Sequence, residues 1–106
     1  MGIIVIACYR PHHGKEQELL AETRQHVAIL RGEGLVTDRE PIIGQAPDGT
    51  IVEVFEWKSQ HAIDQAHENP VVLDMWARYA ACCDYVPIAD VPGATDLFSP
   101  FLPLDP

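Results

Sequence analysis

Residues 51–76 read IVEVFEWKSQHAIDQAHENPVVLDMW and combine a strand pattern, a polar turn and the start of a helical pattern. Five of the seven residues in 51–57 are β-branched or aromatic, which favours a strand. Ser59 follows as a helix N-cap. His67 falls on the apolar face of the helix that Ser59 begins. A helix folded back over its own strand would bring His67 to the sheet that carries Glu56. We therefore expect an acid–imidazole pair, with His67 as a candidate catalytic base and Glu56 as its orienting partner.

The 106 residues are expected to form one domain. Six segments of secondary structure are predicted along it: strands at 3–10, 35–44, 51–57 and 94–104, and helical regions at 15–31 and 59–84. The second helical region is predicted to break at Asn69-Pro70, where Pro70 begins a new helical segment. The segment 94–104 contains Pro100 and Pro103, which suit an edge strand. Residues 94–106 are therefore predicted to be a final strand and a C-terminal arm. The order β-α-β-β-α-β predicts an α+β class, ferredoxin-like fold with a four-stranded antiparallel sheet.

The predicted sheet is apolar on both faces. The first strand, IIVIACYR, does not alternate with polar residues, and the third carries Phe55 and Trp57 opposite Val52 and Val54. Right-handed crossovers place both helical regions on the same face of the sheet. An open face of an antiparallel sheet normally carries polar side chains. The sequence therefore predicts that a second copy of the chain covers this face, as a homodimer.

Charge and cysteine usage limit the partners and the compartment. Seven basic and sixteen acidic residues give a net charge of −9, which repels nucleic acid and anionic membrane surfaces. The apolar run Ile3–Cys8 is too short to span a bilayer. The three cysteines include the adjacent pair Cys82 and Cys83, a pattern typical of reduced thiols. We therefore expect a cytoplasmic protein with no nucleic-acid or membrane partner.

Candidate ligand-binding residues are aromatic. Tyr9, Trp57, Trp76 and Tyr79 are candidates to line a pocket for a small aromatic molecule. Trp76 and Tyr79 lie three residues apart on one helix, so packing in the core explains them as well. In the same way, Glu56 and His67 have a structural interpretation besides the catalytic one, as an ion pair that links the helix to the strand. No histidine or carboxylate spacing of a metal site and no Gly-rich phosphate loop is present, so we expect no metal and no cofactor.

The chain resembles the antibiotic-biosynthesis monooxygenase (ABM) domain family of the dimeric α+β barrel superfamily, over nearly its whole length. The similarity rests on the first strand ending in Tyr9-Arg10, on the Pro11…Gly14-Lys15-Glu16 start of the first helix, and on Glu56-Trp57-Lys58-Ser59…Ala66-His67…Pro70. It implies a dimeric α+β barrel with a small-molecule pocket, since the family covers several activities on one fold.

The resemblance implies two functions between which the residues do not decide. One is a cofactor-independent monooxygenase that acts on a small aromatic or enolic molecule, and the other is a binding or accessory protein of the same fold without turnover. Haem-degrading members of the family carry an asparagine late in the first strand, where this chain reads Ala7-Cys8-Tyr9. Haem degradation is therefore not expected.

Overall fold

The computed structural model describes residues 2–104 of the chain, and within them helices and strands alternate much as the sequence predicts. The elements are β1 (Ile3–Pro11), α1 (Glu16–Gly32), β2 (Ile42–Gln45), β3 (Ile51–Trp57), α2 (Gln60–Ala66), α3 (Pro70–Cys82), β4 (Cys83–Val86), a 3₁₀ turn (Ile88–Asp90) and β5 (Leu102–Pro103). The described part of the sheet has five antiparallel strands in the order β4-β1-β3-β2-β5. The α+β class is confirmed. The first four strands lie in the order of a ferredoxin-like sheet, and the fifth strand is additional.

The fourth strand lies earlier in the chain than the sequence predicts. β4 follows α3 without a loop and pairs with β1, with Tyr85 opposite Tyr9. In the predicted final strand, residues 94–104, only Leu102–Pro103 is strand, and it pairs with β2 at the opposite edge. Asp105 and Pro106, the end of the predicted arm, lie outside the described residues.

Side-chain caps fix where the two helices after β3 begin. The Ser59 hydroxyl accepts a hydrogen bond from the Ala62 backbone N–H at 3.1 Å, which confirms Ser59 as the N-cap of α2. The Asn69 side-chain oxygen accepts from the backbone N–H groups of Val71 and Val72 at 2.9 and 3.2 Å. Pro70 then occupies the first turn of α3, where its missing N–H costs nothing. The break between α2 and α3 is thus encoded locally.

The helices cover one face of the sheet and form the main core with it. The register of β1 and β3 sets Ala7 opposite Glu53 and Val5 opposite Phe55, all on the helix face. On α1, the buried residues recur at helical spacing: Leu19, Thr23, His26, Val27 and Leu30. The Arg78 guanidinium on α3 binds the Glu22 carboxylate of α1 at 3.0 Å, which holds the two helices together at the surface. Every side chain of the cavity described below belongs to these elements.

The chain itself covers part of the second face of the sheet. Residues of the C-terminal segment, including Val91 and Phe101, pack against Cys8 and Val52. The prediction that a second copy of the chain covers this face is therefore wrong for this part of it, which the chain covers itself. Three isoleucines of the same face, Ile4, Ile6 and Ile42, remain 58%, 52% and 71% exposed. Within residues 2–104, no helix has the length and apolar character needed to cross a membrane.

Candidate functional site

An apolar cavity of about 390 Å³ opens between the sheet and the helices. Its size is at the lower end of the range of small-molecule pockets, roughly 300–1,000 Å³. Eight side chains from β1, α1, β3, α3 and β4 form its walls: Val5, Ala7, Tyr9, His26, Phe55, Trp57, Trp76 and Tyr85. Five of the eight are aromatic rings of Tyr, Phe or Trp, and His26 is the ionisable imidazole among them. A flat, mostly apolar molecule matches such walls.

Three of the four predicted pocket residues line this cavity. Tyr9, Trp57 and Trp76 are part of its wall. Tyr79 lies behind the wall, fully buried, with its ring centroid 4.8 Å from that of Tyr9. Its hydroxyl lies 3.5 Å from the hydroxyl of Thr23, and burial raises the pKa of Tyr79 above its usual range. Tyr79 is therefore a core residue that supports Tyr9 from behind.

The structure does not bring Glu56 and His67 together. Glu56 lies on the opposite face of the sheet from the helices, because side chains along β3 alternate between the two faces. Its carboxylate accepts from the Thr37 hydroxyl at 2.8 Å and from Arg39 Nε at 3.2 Å, and these two donors hold its pKa below the usual value. His67 lies exposed at the end of α2, with Nδ1 2.9 Å from the Ile63 carbonyl oxygen. Within residues 2–104, no hydrogen bond joins Glu56 to His67.

His67 nevertheless lies next to the cavity wall. Its ring centroid is 5.0 Å from that of Trp76, at an interplanar angle of 66°. His67 itself is not among the side chains that line the cavity. Any influence of His67 on a bound ligand would therefore be transmitted by the indole of Trp76.

A different acid–imidazole pair lies beside the cavity: His26 lines it, and Glu53 is buried next to His26. Glu53, on β3, has no solvent exposure, and its Oε1 lies 2.7 Å from Nδ1 of His26 on α1. The same oxygen accepts a hydrogen bond from the Tyr9 hydroxyl, also at 2.7 Å. The second carboxylate oxygen, Oε2, is buried and has no hydrogen-bond partner among the described residues. Three elements thus meet at one carboxylate.

The hydrogen bond to Glu53 determines which nitrogen of His26 is available to a ligand. A carboxylate only accepts hydrogen bonds, so the imidazole carries its hydrogen on Nδ1. In the part of the chain that the structure describes, Nε2 of His26 has no hydrogen-bond partner, and the ring lines the cavity. In this form Nε2 has a free lone pair. A carboxylate on one ring nitrogen and a free second nitrogen is the arrangement of a general base.

Tyr9 acts as a fixed donor in this group. Burial, followed by the negative charge of Glu53, raises the pKa of Tyr9 well above its usual value. The hydroxyl therefore stays protonated and donates a hydrogen bond to Oε1 of Glu53. Edge-to-face contacts with His26 and Tyr85, at centroid distances of 6.2 and 5.7 Å, hold the Tyr9 ring in the wall.

The sequence contains a signal for the pair of Glu53 and His26 in the positions of the two residues on their strand and helix. Glu53 is in phase with Phe55 and Trp57 on β3, so an acidic residue occupies a position of the apolar helix face. His26 lies between Thr23 and Leu30 on the buried stripe of α1. An acid on the inner strand face and an imidazole on the inner helix face are each costly to bury alone, and together they indicate a pair.

Among residues 2–104, no three His, Cys, Asp or Glu side chains lie close enough together to hold a metal ion. No family model, no curated protein and no solved structure matches this chain. The resemblance to the ABM family therefore stays a prediction, based on the residues quoted for it.

Proposed function

We propose that the protein binds a small aromatic or enolic molecule in the cavity and that His26, oriented by Glu53, takes part in its chemistry. The observation that carries the proposal is a single imidazole, backed by a buried carboxylate, in a cavity whose other walls are apolar or aromatic. The aromatic walls favour a flat ring system, and the imidazole provides one polar contact that orients it. The base proposed is therefore His26 rather than His67, and its partner is Glu53 rather than Glu56.

The reaction that fits these groups is oxygenation without a cofactor. Removal of a proton from a ring CH₂ or hydroxyl makes the ligand a carbanion or enolate that is electron-rich enough to react with O₂. The carbanion and O₂ form a carbon–oxygen bond, protonation gives a hydroperoxide, and loss of water from a hydroperoxide at CH leaves a carbonyl. One oxygen atom enters the product and the other leaves as water. In these reaction steps the protein orients the ligand and transfers its proton at Nε2 of His26.

A homodimer and a cytoplasmic location are part of the proposal. The exposed isoleucines Ile4, Ile6 and Ile42 form an apolar area on the sheet that a second copy of the chain would bury. Sedimentation of the protein should report a dimer, and Ile6→Glu should give a folded monomer. A wild-type monomer at micromolar concentration would contradict this part of the proposal. Three free, buried cysteines support a reducing compartment.

The alternative function is binding without turnover. It is favoured by the position of the cavity, which is built from core side chains and needs no further group to bind a ligand. A thermal-shift screen with flat aromatic compounds tests binding, and oxygen uptake with a panel of quinols and enols tests turnover. Stabilisation together with oxygen uptake that His26→Gln abolishes supports the monooxygenase. Stabilisation without oxygen uptake supports the binding protein, and no stabilisation by any compound contradicts both.

A further inference from the structure

We infer that a hydroxyl group bound in the cavity gives its proton to His26, so that the ligand is held as a phenolate or enolate before any reaction begins. This inference rests on the proposed function, because it takes the cavity as the binding site. It also narrows the ligand class. The compounds expected to bind best are aromatic or enolic molecules that carry a ring hydroxyl acidic enough to ionise beside an imidazole.

His26 is the group in the cavity wall that can accept a proton. The indole nitrogens of Trp57 and Trp76 are donors only. The hydroxyl of Tyr9 is already committed as a donor to Glu53 at 2.7 Å. Nδ1 of His26 is committed to the same carboxylate, and its Nε2 is the remaining basic nitrogen among the eight lining side chains.

The charge around Glu53 favours proton transfer to His26. Glu53 has no solvent exposure, its Oε2 has no partner among the described residues, and its Oε1 lies 2.7 Å from Nδ1 of the neutral His26 imidazole. A buried carboxylate is costly unless a positive charge compensates it. Proton transfer from the ligand breaks one O–H bond, forms one N–H bond and leaves the net charge of the complex unchanged. It places a positive imidazolium between two negative oxygens, those of Glu53 and of the ligand.

The neighbouring titratable groups do not compete for this proton. Glu53 faces His26 from β3, Tyr9 from β1 and Tyr79 from α3. Burial raises the pKa of both tyrosines, so they stay protonated and neutral. Tyr85, from β4, also lines the cavity in contact with Tyr9, and burial raises its pKa in the same direction. None of the three tyrosines therefore takes up the transferred proton.

Five other charged residues lie on the same helix as His26: Glu16, Glu18 and Arg24, which are exposed, and Glu22 and Arg31, which are partly buried. The Glu22 carboxylate binds the Arg78 guanidinium of α3 at 3.0 Å. Arg78 is also paired with Asp74, so the charge of Glu22 is compensated at the surface and the three groups together keep a net charge of −1. Among the described residues that line the cavity, none is a lysine or an arginine. The imidazolium of His26 is thus the cation that a bound phenolate would meet.

The test compares two pairs of bicyclic probes of which one member can ionise and the other cannot. The pairs are 7-hydroxycoumarin with 7-methoxycoumarin and 2-naphthol with 2-methoxynaphthalene, and the anions of the hydroxy compounds have their own absorption bands. Each hydroxy compound is titrated with pH, free and in the presence of saturating protein. The expected result is that the bound hydroxyl ionises at a pH at least about one unit lower, a tenfold change in its acid dissociation constant.

Variants assign the effect to the pair. His26→Gln should abolish the shift, and Glu53→Gln, which keeps the shape of the side chain and removes its charge, should reduce it. His61→Gln is the matched control, because His61 is an exposed residue of α2 outside the cavity wall, and it should leave the shift unchanged. The wild-type titration stands by itself if His26→Gln does not fold.

The outcomes separate this inference from the proposed function. Bound hydroxy compounds that keep the spectrum of the neutral form overturn the inference and leave the binding proposal intact. A shift that His26→Gln retains also overturns it. Methoxy and hydroxy probes that both fail to bind overturn the inference together with the proposed cavity function.

Discussion

Replacing His26 by leucine should strongly destabilise the protein, because it removes the Nδ1–H donor from the buried Glu53 carboxylate. Glu53 is fully buried, and among the described residues Oε2 already lacks a hydrogen bond, so the variant would retain only the Tyr9 hydroxyl as a donor. Leaving a buried charged group without a hydrogen-bond donor costs about 3 kcal/mol or more. That is a large share of the roughly 5–15 kcal/mol by which a domain is stable. The melting temperature should fall by roughly 12 °C or more, at about 4 °C per kcal/mol for a domain near this size.

The assay is urea unfolding followed by circular dichroism, with two further variants. His61→Leu makes the same change at an exposed position and should alter the stability by less than about 0.5 kcal/mol. The triple variant His26→Leu, Glu53→Leu, Tyr9→Phe removes every polar group of the cluster and should recover much of the lost stability, since replacing both partners of a buried hydrogen bond by apolar groups of similar shape is nearly neutral. A loss below about 1 kcal/mol for His26→Leu, or a triple variant no more stable than the single one, would refute the view of Glu53 as a charge that depends on His26.

Three further predictions concern other parts of the chain. Glu56→Gln should lower stability at pH 7 but not at low pH. Hydrogen-bond donors hold the pKa of Glu56 below its usual 4.5, so the stability advantage of the wild type is present above that pH and is lost as the pH falls below it. A stability difference that is independent of pH in urea titrations would contradict this. Burial raises the pKa of Cys83 to about 12 and raises those of Cys8 and Cys82, so a chromogenic disulfide reagent at pH 8 should label native protein slowly and all three thiols quickly in urea. Rapid labelling of the native protein would speak against the packing described. Asn69→Ala should cost about 1 kcal/mol, measured in the same unfolding assay, because two backbone N–H groups of α3 lose their acceptor; an unchanged midpoint would mean that Pro70 alone starts the helix.

Local signals in the sequence were sufficient for most of the fold. The β-branched run of β3, the Ser59 cap and the Asn69-Pro70 break each act within a few residues, and the structure has all three where the sequence predicts them. β4 was missed because its four residues, Cys83–Val86, show no alternation and stand directly before Pro87. Their strand conformation comes from pairing with β1, a contact between distant parts of the chain that no local pattern encodes.

The site was predicted only in part, and the reason lies in the two-residue period of strands. The sequence identifies Tyr9, Trp57 and Trp76 as lining residues because few aromatic side chains lie on the strands and helices of this chain. Glu56 was chosen because it lies close to His67 in the chain, but strand alternation sets it beside Val54, away from the helices. The same alternation points to Glu53. Its partner His26 lies 27 positions away on α1, and only the tertiary packing brings the two within 2.7 Å.

β5 has a consequence for how the protein behaves when its C-terminal segment is shortened. Leu102–Pro103 occupies the outer side of β2, and the Phe101 Cβ would lie only 3.0 Å from a side chain placed at Gly44. Without this short strand, the backbone N–H and C=O groups of β2 would be free to pair with the same strand of another molecule. Shortened versions of the chain that end before residue 101 should therefore form fibrils or precipitate on storage, while chains that keep β5, whose Pro103 has no N–H to offer, resist such growth at this edge.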